Sequence, residues 1–291
     1  MRVQQSYRDE TKGGVLYLVP TPIGNLEDMT YRAVRLLRES DLIAAEDTRN
    51  TKRLCRHFDV ATPLVSYHEH NKEQSGKQLL KELHAGKTIA LVSDAGMPAI
   101  SDPGRELVRA CIDENLFVIP LPGPNAALPA LVASGFDTGR FHFYGFLPRG
   151  KKEKKAELAS LKEIRETLIF YEAPHRLKET ISEMKASFGD REICIGRELT
   201  KAFEEWIRGS LKEVAEWLED RTVKGELSIV VEGNPNKEVE ERAWWAELSL
   251  MEHVRYFVEI RNLPKKEAIK KTAAERGLPK REVYNAYHAG E

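Results

Sequence analysis

Short, unbroken apolar runs alternate with longer stretches whose apolar residues recur at helical spacing, and this alternation governs the first half of the chain. Residues 15–19, 42–45, 64–67, 88–93 and 117–121 are β-branched or continuously apolar and predict five strands. Between them, Thr30 is placed to cap a helix carrying Ala33, Val34, Leu36 and Leu37, while Leu79, Leu80 and Leu83 form a stripe that Gly86 ends. Leu107, Val108, Cys111 and Ile112 form a third stripe. Strands that are apolar throughout belong to sheets covered on both faces by crossover helices, so residues 14–135 predict a parallel α/β domain.

The pattern restarts at Arg140. Strands are expected at residues 141–146, 167–171, 192–196, 203–208 and 227–232, with a lysine-rich helix after the first, a helix over 175–188 and another over 211–218. The last strands enclose a single helix, which suits a mixed or antiparallel sheet, so residues 140–233 predict a second α/β domain. Asn234, Pro235 and Asn236 mark a linker, and residues 243–291 predict a helical hairpin, with Ile269 and Ala273 on one stripe, Val283, Ala286 and Tyr287 on the other, and Gly277, Leu278 and Pro279 between. Residues 1–13 are expected to be a flexible leader.

Composition narrows the class. Of 291 residues, 41% are hydrophobic, enough for a core in each of two domains. Lysine and arginine total 45 against 46 acidic residues, so the balance carries no polyanion signal and any nucleic-acid surface has to be local. Cys55, Cys111 and Cys194 are odd in number and lie in apolar or helical surroundings, as reduced core thiols of a cytoplasmic protein do. No apolar run approaches a membrane span, and the polar leader lacks the hydrophobic region of a signal peptide.

Candidate chemistry gathers at strand ends. Residues 15–19 run into Pro20, Pro22 and Gly24; residues 88–93 into Asp94, Ala95, Gly96, Met97 and Pro98; residues 117–121 into Pro122, Gly123, Pro124, Asn125 and Ala126. In open parallel sheets ligands bind outside the carboxyl ends of strands, and three stiff turns there predict one crevice. Asp94 and Asp102 are also residue types that cap helices and turns. Gly86-Lys87-Thr88 lacks the upstream glycine of a phosphate loop and precedes a strand, and the first turn has prolines where a dinucleotide fold has spaced glycines. His68 and His70 lack a companion Cys or carboxylate set, so no metal is expected.

Seven motifs in order carry a resemblance over nearly the whole chain: Val19-Pro20-Thr21-Pro22-Ile23-Gly24-Asn25-Leu26, Ala44-Ala45-Glu46-Asp47-Thr48-Arg49, residues 92–104, Leu121-Pro122-Gly123-Pro124, Gly145-Phe146-Leu147-Pro148-Arg149, Phe170-Tyr171-Glu172-Ala173-Pro174-His175-Arg176-Leu177 and Arg197-Glu198-Leu199-Thr200-Lys201. Together they resemble the small-subunit rRNA 2'-O-ribose cytidine methyltransferases of the tetrapyrrole-methylase-like superfamily. The resemblance implies two α/β domains with S-adenosylmethionine in the cleft between them, a decoding-region cytidine of 16S rRNA as acceptor, and a homodimer. It also implies cofactor contacts from Pro22, Ile23, Asp94, Met97, Asn125, Ala126 and Tyr171. Met97 stands where the family pattern has Thr, and Asn125 where a small residue or Cys is common. Backbone contacts survive both changes, whereas a side-chain hydroxyl contact at Met97 does not.

A protonated ribose hydroxyl is a poor nucleophile, and Glu46, Asp47, Asp102, Glu172 and His175 are the available bases, unranked. Each has an alternative: Glu46 and Asp47 as partners of Arg49 or helix caps, Asp102 as a turn residue, Glu172 as a strand-end acceptor, His175 as a neighbour of Pro174. Arg149, Lys151, Lys152, Lys154 and Lys155 form a cationic run suited to phosphates, extended by Arg49, Arg176, Arg197 and Lys201. The tail adds Lys265, Lys266, Lys270, Lys271, Arg276, Lys280 and Arg281 against Glu267, Glu275, Glu282 and Glu291, which suits either an RNA grip or a solvated packing surface. A tetrapyrrole methyltransferase and a noncatalytic RNA-binding assembly protein on the same fold are the rival readings. The first needs a roomy apolar trough; the second binds RNA without methyl transfer.

Overall fold

Apolar runs with both faces to bury form the first sheet. Its strands are β1 (Val15–Leu18), β2 (Leu42–Ala45), β3 (Leu64–Ser66), β4 (Thr88–Val92) and β5 (Phe117–Pro120). All pairings are parallel, in the order β3-β2-β4-β1-β5. Alternate residues feed opposite cores: Ile43, Ala45, Ala90 and Val92 face one cluster with Ala33 and Leu37, and Ala44, Ile89 and Leu91 face another with Leu83, Leu107 and Cys111. The computed structural model describes residues 3–6, 13–235, 244–245 and 247–289.

The helices following the first-sheet strands are α1 (Tyr31–Glu39), α2 (Thr48–His57), α3 (Lys72–His84), α4 (Arg105–Asp113) and α5 (Ala127–Ser134). Thr30 caps α1, its Oγ1 accepting the Ala33 N–H at 3.1 Å. All three cysteines are free and buried, and burial pushes the Cys111 thiol up to about 12. Of the leader, residues 1–2 and 7–12 lie outside the described residues; Gln4 exchanges two side-chain hydrogen bonds with the Val118 backbone on the edge strand.

The second sheet is mixed. Its strands are β6 (Phe141–Phe146), β7 (Thr167–Glu172), β8 (Glu192–Arg197), β9 (Glu205–Ser210) and β10 (Leu227–Val231), in the order β6-β7-β10-β8-β9. Only β6 and β7 run parallel within it. The strand expected at 203–208 begins two residues later, because Phe203 sits exposed in the preceding turn, and it runs on to Ser210, the N-cap of the next helix. Helices α6 (Lys151–Leu161), α7 (Leu177–Phe188) and α8 (Leu211–Leu218) cover one face; a 3-10 turn, Pro174–Arg176, takes the place of the first turn expected for α7. The other face is covered by α5, whose Ala130 and Leu131 pack on Ile169, Cys194 and Val230. A helix from the first half of the chain therefore completes the core of the second sheet, and both sheets belong to one compact unit, Met1–Asn234.

A second unit spans Pro235–Glu291. Residues 236–243, including Asn236 of the expected linker, lie outside the described residues. Helix α9 (Leu250–Arg255), begun by a capping box of Ser249 and Glu252, continues through a π-helical turn, Tyr256–Ile260. It joins the expected pair, α10 (Lys265–Arg276) and α11 (Lys280–His288), so that Val254 and Phe257 pack on Ile269, Ala273, Val283 and Tyr287. Gly277, at φ 62°, ends α10 in the left-handed conformation that glycine adopts without strain.

Candidate functional site

Strand order in the first sheet reverses between β1 and β4, and at their carboxyl ends the chain builds a clamp. Thr21 and Gly96 exchange backbone hydrogen bonds of 3.0 and 2.8 Å, and Thr21 Oγ1 donates to the Ser93 carbonyl at 3.0 Å. Gly96 has φ 82°, and a Cβ there would lie 3.5 Å from Ile23 and 3.8 Å from the Pro124 carbonyl, so all three Pro/Gly turns meet at this glycine. Beyond it, Ala99 and Ser101 hold φ of 67° and 62°, a strained path for residues with a side chain, in the loop that carries Asp102.

Around this clamp lies a cavity of about 470 Å³. The first sheet contributes Ile23, Glu46, Asp94, Met97, Asp102, Asn125 and Ala126, and the second contributes Phe146, Tyr171, Glu172, Leu199, Leu227 and Ser228. Six of the seven expected cofactor contacts thus share one cavity. Pro22 instead lines an adjoining recess of about 260 Å³ with Asn50, Leu54 and Asp94. Tyr171 packs edge-on against Phe143 and Phe146 at 5.1 and 5.6 Å, and burial pushes its hydroxyl up against the pull of the Ala127 and Ala126 backbone N–H groups. Asn125 Oδ1 accepts the Leu128 N–H at 2.9 Å, so this residue braces the start of α5.

The five candidate bases separate by environment. Burial, then the charges of Glu46 and Asp94, push Asp102 up to about 7 against the pull of the Ser93 hydroxyl. Glu46 is raised by burial and by Asp94. Asp94 accepts the Asp47 N–H at 3.1 Å and the Asn50 amide at 3.3 Å, which joins β4 to the start of α2. Asp47 caps α2, accepting the Arg49 N–H at 2.8 Å; the Arg49 guanidinium, 2.7 Å away, helps hold it at about 2. Glu172 is buried, with Oε1 accepting the Ala173 N–H at 2.8 Å and 3.3 Å from Arg176, and Oε2 accepting the Thr180 hydroxyl at 2.6 Å. Three of the roughly four acceptor positions of this carboxylate are thus committed to the protein itself. His175 is exposed on the 3-10 turn and does not line the cavity.

The expected cationic track is shorter than the sequence suggests. Arg149, Lys151, Lys152 and Lys155 are exposed. Lys154 is not: it is 1% exposed and pairs with Glu183 at 3.0 Å, because its spacing to Leu158 and Leu161 puts it on the buried stripe of α6. Arg176 also leaves the track, since its Nη2 donates to the Leu147 and Pro148 carbonyls, both at 2.9 Å. Arg49 pairs with Asp47, Arg197 with Glu205 at 3.3 Å, and Lys201 with Glu198 and Glu226 at 2.8 and 3.0 Å. Leu227 and Ser228 of the cavity wall had no sequence signal, because only the antiparallel pairing of β10 with β7 brings the start of one beside the end of the other.

This paired-sheet fold with its cleft is that of a methylase class: the family of Tetrapyrrole (Corrin/Porphyrin) Methylases matches residues 15–215. Among solved structures, a cobalt precorrin-4 methyltransferase superposes with a TM-score of 0.58 at 15% identity, covering 75% of this chain and 94% of that one. A uroporphyrin-III C-methyltransferase from Thermus thermophilus, complexed with S-adenosyl homocysteine, gives 0.52 at 22% identity, covering 75% and 97%. At these identities the likeness is one of fold. Ribosomal RNA small subunit methyltransferase I of Bacillus subtilis (strain 168) is 57% identical over 289 residues, 99% of both chains. Its namesake in Halalkalibacterium halodurans is 56% identical over 288 residues, again 99% of both. The chain belongs to the tetrapyrrole methylase family, in the branch of these ribosomal RNA small subunit methyltransferases I.

Proposed function

We propose that this chain is an S-adenosylmethionine-dependent methyltransferase that methylates the ribose 2'-hydroxyl of a cytidine in the decoding region of 16S rRNA, with Asp102 as the base. The observation that carries the reading is Asp102 itself, a carboxylate without a cationic partner among those that perturb it, poised near neutrality on the wall of the cavity. The names of full-length relatives supply the substrate class.

The residues present fit the cofactor. A cavity of about 470 Å³ lies within the roughly 300–1,000 Å³ usual for such ligands. Ile23, Met97, Tyr171, Leu199 and Leu227 offer an apolar slot, while Asn125 and Ala126 bring backbone close and Glu46 and Asp94 present negative charge to a sulfonium. When bound, S-adenosylmethionine supplies an electrophilic methyl group on a cationic sulfur. The positive charge it would bring to this wall would favour the ionised form of Asp102, the group placed to hold the proton that the ribose hydroxyl would release. Most of the acceleration comes from holding the acceptor in line, a contribution of up to roughly 7 to 11 kcal/mol in ideal cases. The clamp at Thr21 and Gly96 and the strained loop before Asp102 serve that positioning.

Arg149, Lys151, Lys152 and Lys155 would meet phosphates at the rim. We further assign residues 14–135 and 140–233 as the two domains around the cleft and 243–291 as the third, and read the working form as a cytoplasmic homodimer acting on the small ribosomal subunit. Among the described residues no helix is long and apolar enough to cross a membrane. The test incubates the purified full chain with methyl-labelled S-adenosylmethionine and, in parallel, small subunits lacking the modification or a porphyrin-type acceptor, then digests the RNA to nucleosides and counts label in each acceptor. Label in 2'-O-methylcytidine is the expected result. Label only in a porphyrin-type acceptor, or RNA binding without transfer, overturns the proposal.

A further inference from the structure

The compact unit at the end of the chain holds surface features that neither its own core nor the cleft uses. Helix α11 buries Val283 and Tyr287 against α9 and α10, which satisfies its apolar stripe. Away from that stripe it exposes Lys280, Arg281, Tyr284, Asn285 and His288, with one acid, Glu282, beside them. Residues three and four apart share a face, so Lys280 and Arg281 stand one turn before Tyr284 and Asn285, with His288 one turn beyond. The Tyr284 ring is 52% exposed and 4.4 Å from that of His288, tilted by 55°. His288 also meets the core ring of Tyr287 edge-on at 5.4 Å, so the pair is anchored on the core while Tyr284 keeps about half of its surface in solvent.

We propose that this face of α11 docks an unpaired segment of folded RNA, with Tyr284 stacking on a splayed base and Lys280 and Arg281 holding the flanking phosphates. The inference rests on the RNA substrate proposed above and adds a second point of contact, built on another part of the chain. Charge selects the partner class: α10 adds the exposed Lys266, Lys270 and Lys271, and the exposed acids across both helices are fewer than the cations. Shape selects the form of RNA. The deep, narrow major groove of an A-form duplex cannot admit side chains from a helix, whereas bases of loops and bulges stack readily on exposed aromatic rings. The π turn and α9 brace the face from behind: Phe257 is buried in the shared core, Arg276 donates to His253 Nδ1 at 3.1 Å, and the short turn at Gly277 leaves α11 little freedom.

The test uses the full chain and a fluorescein-labelled RNA hairpin with an unpaired loop, with a fully paired RNA duplex as comparator, read by anisotropy across a salt series. Tyr284→Ala is expected to weaken hairpin binding about tenfold while Tyr284→Phe keeps it. Lys280→Gln and Arg281→Gln should each lower the slope of log affinity against log salt by about one. In methyl transfer to small subunits, Tyr284→Ala should raise KM and leave kcat unchanged. Hairpin affinity unaltered by Tyr284→Ala, or a duplex bound as tightly as the hairpin, overturns the docking face. A wild-type chain that binds the hairpin through Tyr284 yet transfers no methyl group to RNA defeats the proposed activity and leaves the docking face standing.

Discussion

Asp102 and Glu172 face one cavity from opposite sheets, and their surroundings give the same functional group opposite characters. On the first-sheet wall, Asp102 lies among Glu46, Asp94 and buried backbone, so ionisation is disfavoured and its carboxyl titrates at about 7. On the second-sheet wall, Glu172 is clasped by Arg176, Thr180 and its neighbouring N–H. The first wall keeps a reactive group short of partners; the second spends its carboxylate on holding β7, α7 and, through Arg176, the loop after β6 in place. A weakly partnered acid and a bracing carboxylate are thereby divided between two sheets.

The largest expected effect comes from removing Asp102, the acid that no cation perturbs. Asp102→Asn should lower kcat by about a hundred- to ten-thousand-fold, the usual worth of a positioned base, and abolish the rise in rate through about pH 7. The same residue has a stability signature. Its folded pKa is raised from 3.8, so between that value and about 7 the folded state binds more protons than the unfolded chain, and the stability contributed below that window is lost as pH rises through it. Thermal melts should therefore show Asp102→Asn gaining on the wild type at pH 8 and losing that advantage near pH 4. A pH-independent difference would erase the contrast between the walls.

Glu172→Ala tests the other wall. Leaving Arg176 without its buried partner should cost about 3 to 5 kcal/mol of stability in denaturant unfolding, with the pH midpoint of the remaining activity unmoved. A shifted midpoint would make Glu172 a participant in proton transfer. Asp94→Ala should weaken S-adenosylmethionine binding, measured by calorimetry, by about tenfold and RNA binding by less, since its carboxylate faces the cavity and braces α2. Equal losses would remove its proposed role. The smallest effect concerns the rim: Lys151→Gln, Lys152→Gln and Lys155→Gln together should flatten the salt dependence of RNA affinity by about one unit of slope each. An unaltered slope would make them solvated surface.

Much of the frame was legible along the chain. Five apolar runs without alternation marked a sheet buried on both faces, and three of the strand ends carried the Pro/Gly turns that meet at Gly96. Helix α5 was not among the helices marked along the chain, and nothing local says that Ala130 and Leu131 belong beneath the second sheet. Lys154 was misread by charge although its spacing to Leu158 and Leu161 already placed it inside. Glu172 and Asp102 were indistinguishable as candidates, since each follows a strand or turn and neither carries a sequence mark of its partners.

Periodicity and turn chemistry act over a few residues, which is why the order of elements, the parallel character of the first sheet and the stiff turns at its strand ends were determined by the sequence alone. Charge state and accessibility depend on neighbours distant in the chain: Asp94 meets the Asp47 N–H across 47 positions, and Lys154 finds Glu183 from another helix. Only the tertiary structure could decide which carboxylate was left without a counterion and which cation was buried, because the free energy of ionisation is set by the local dielectric and nearby charges, both of which exist only once distant parts of the chain have packed together.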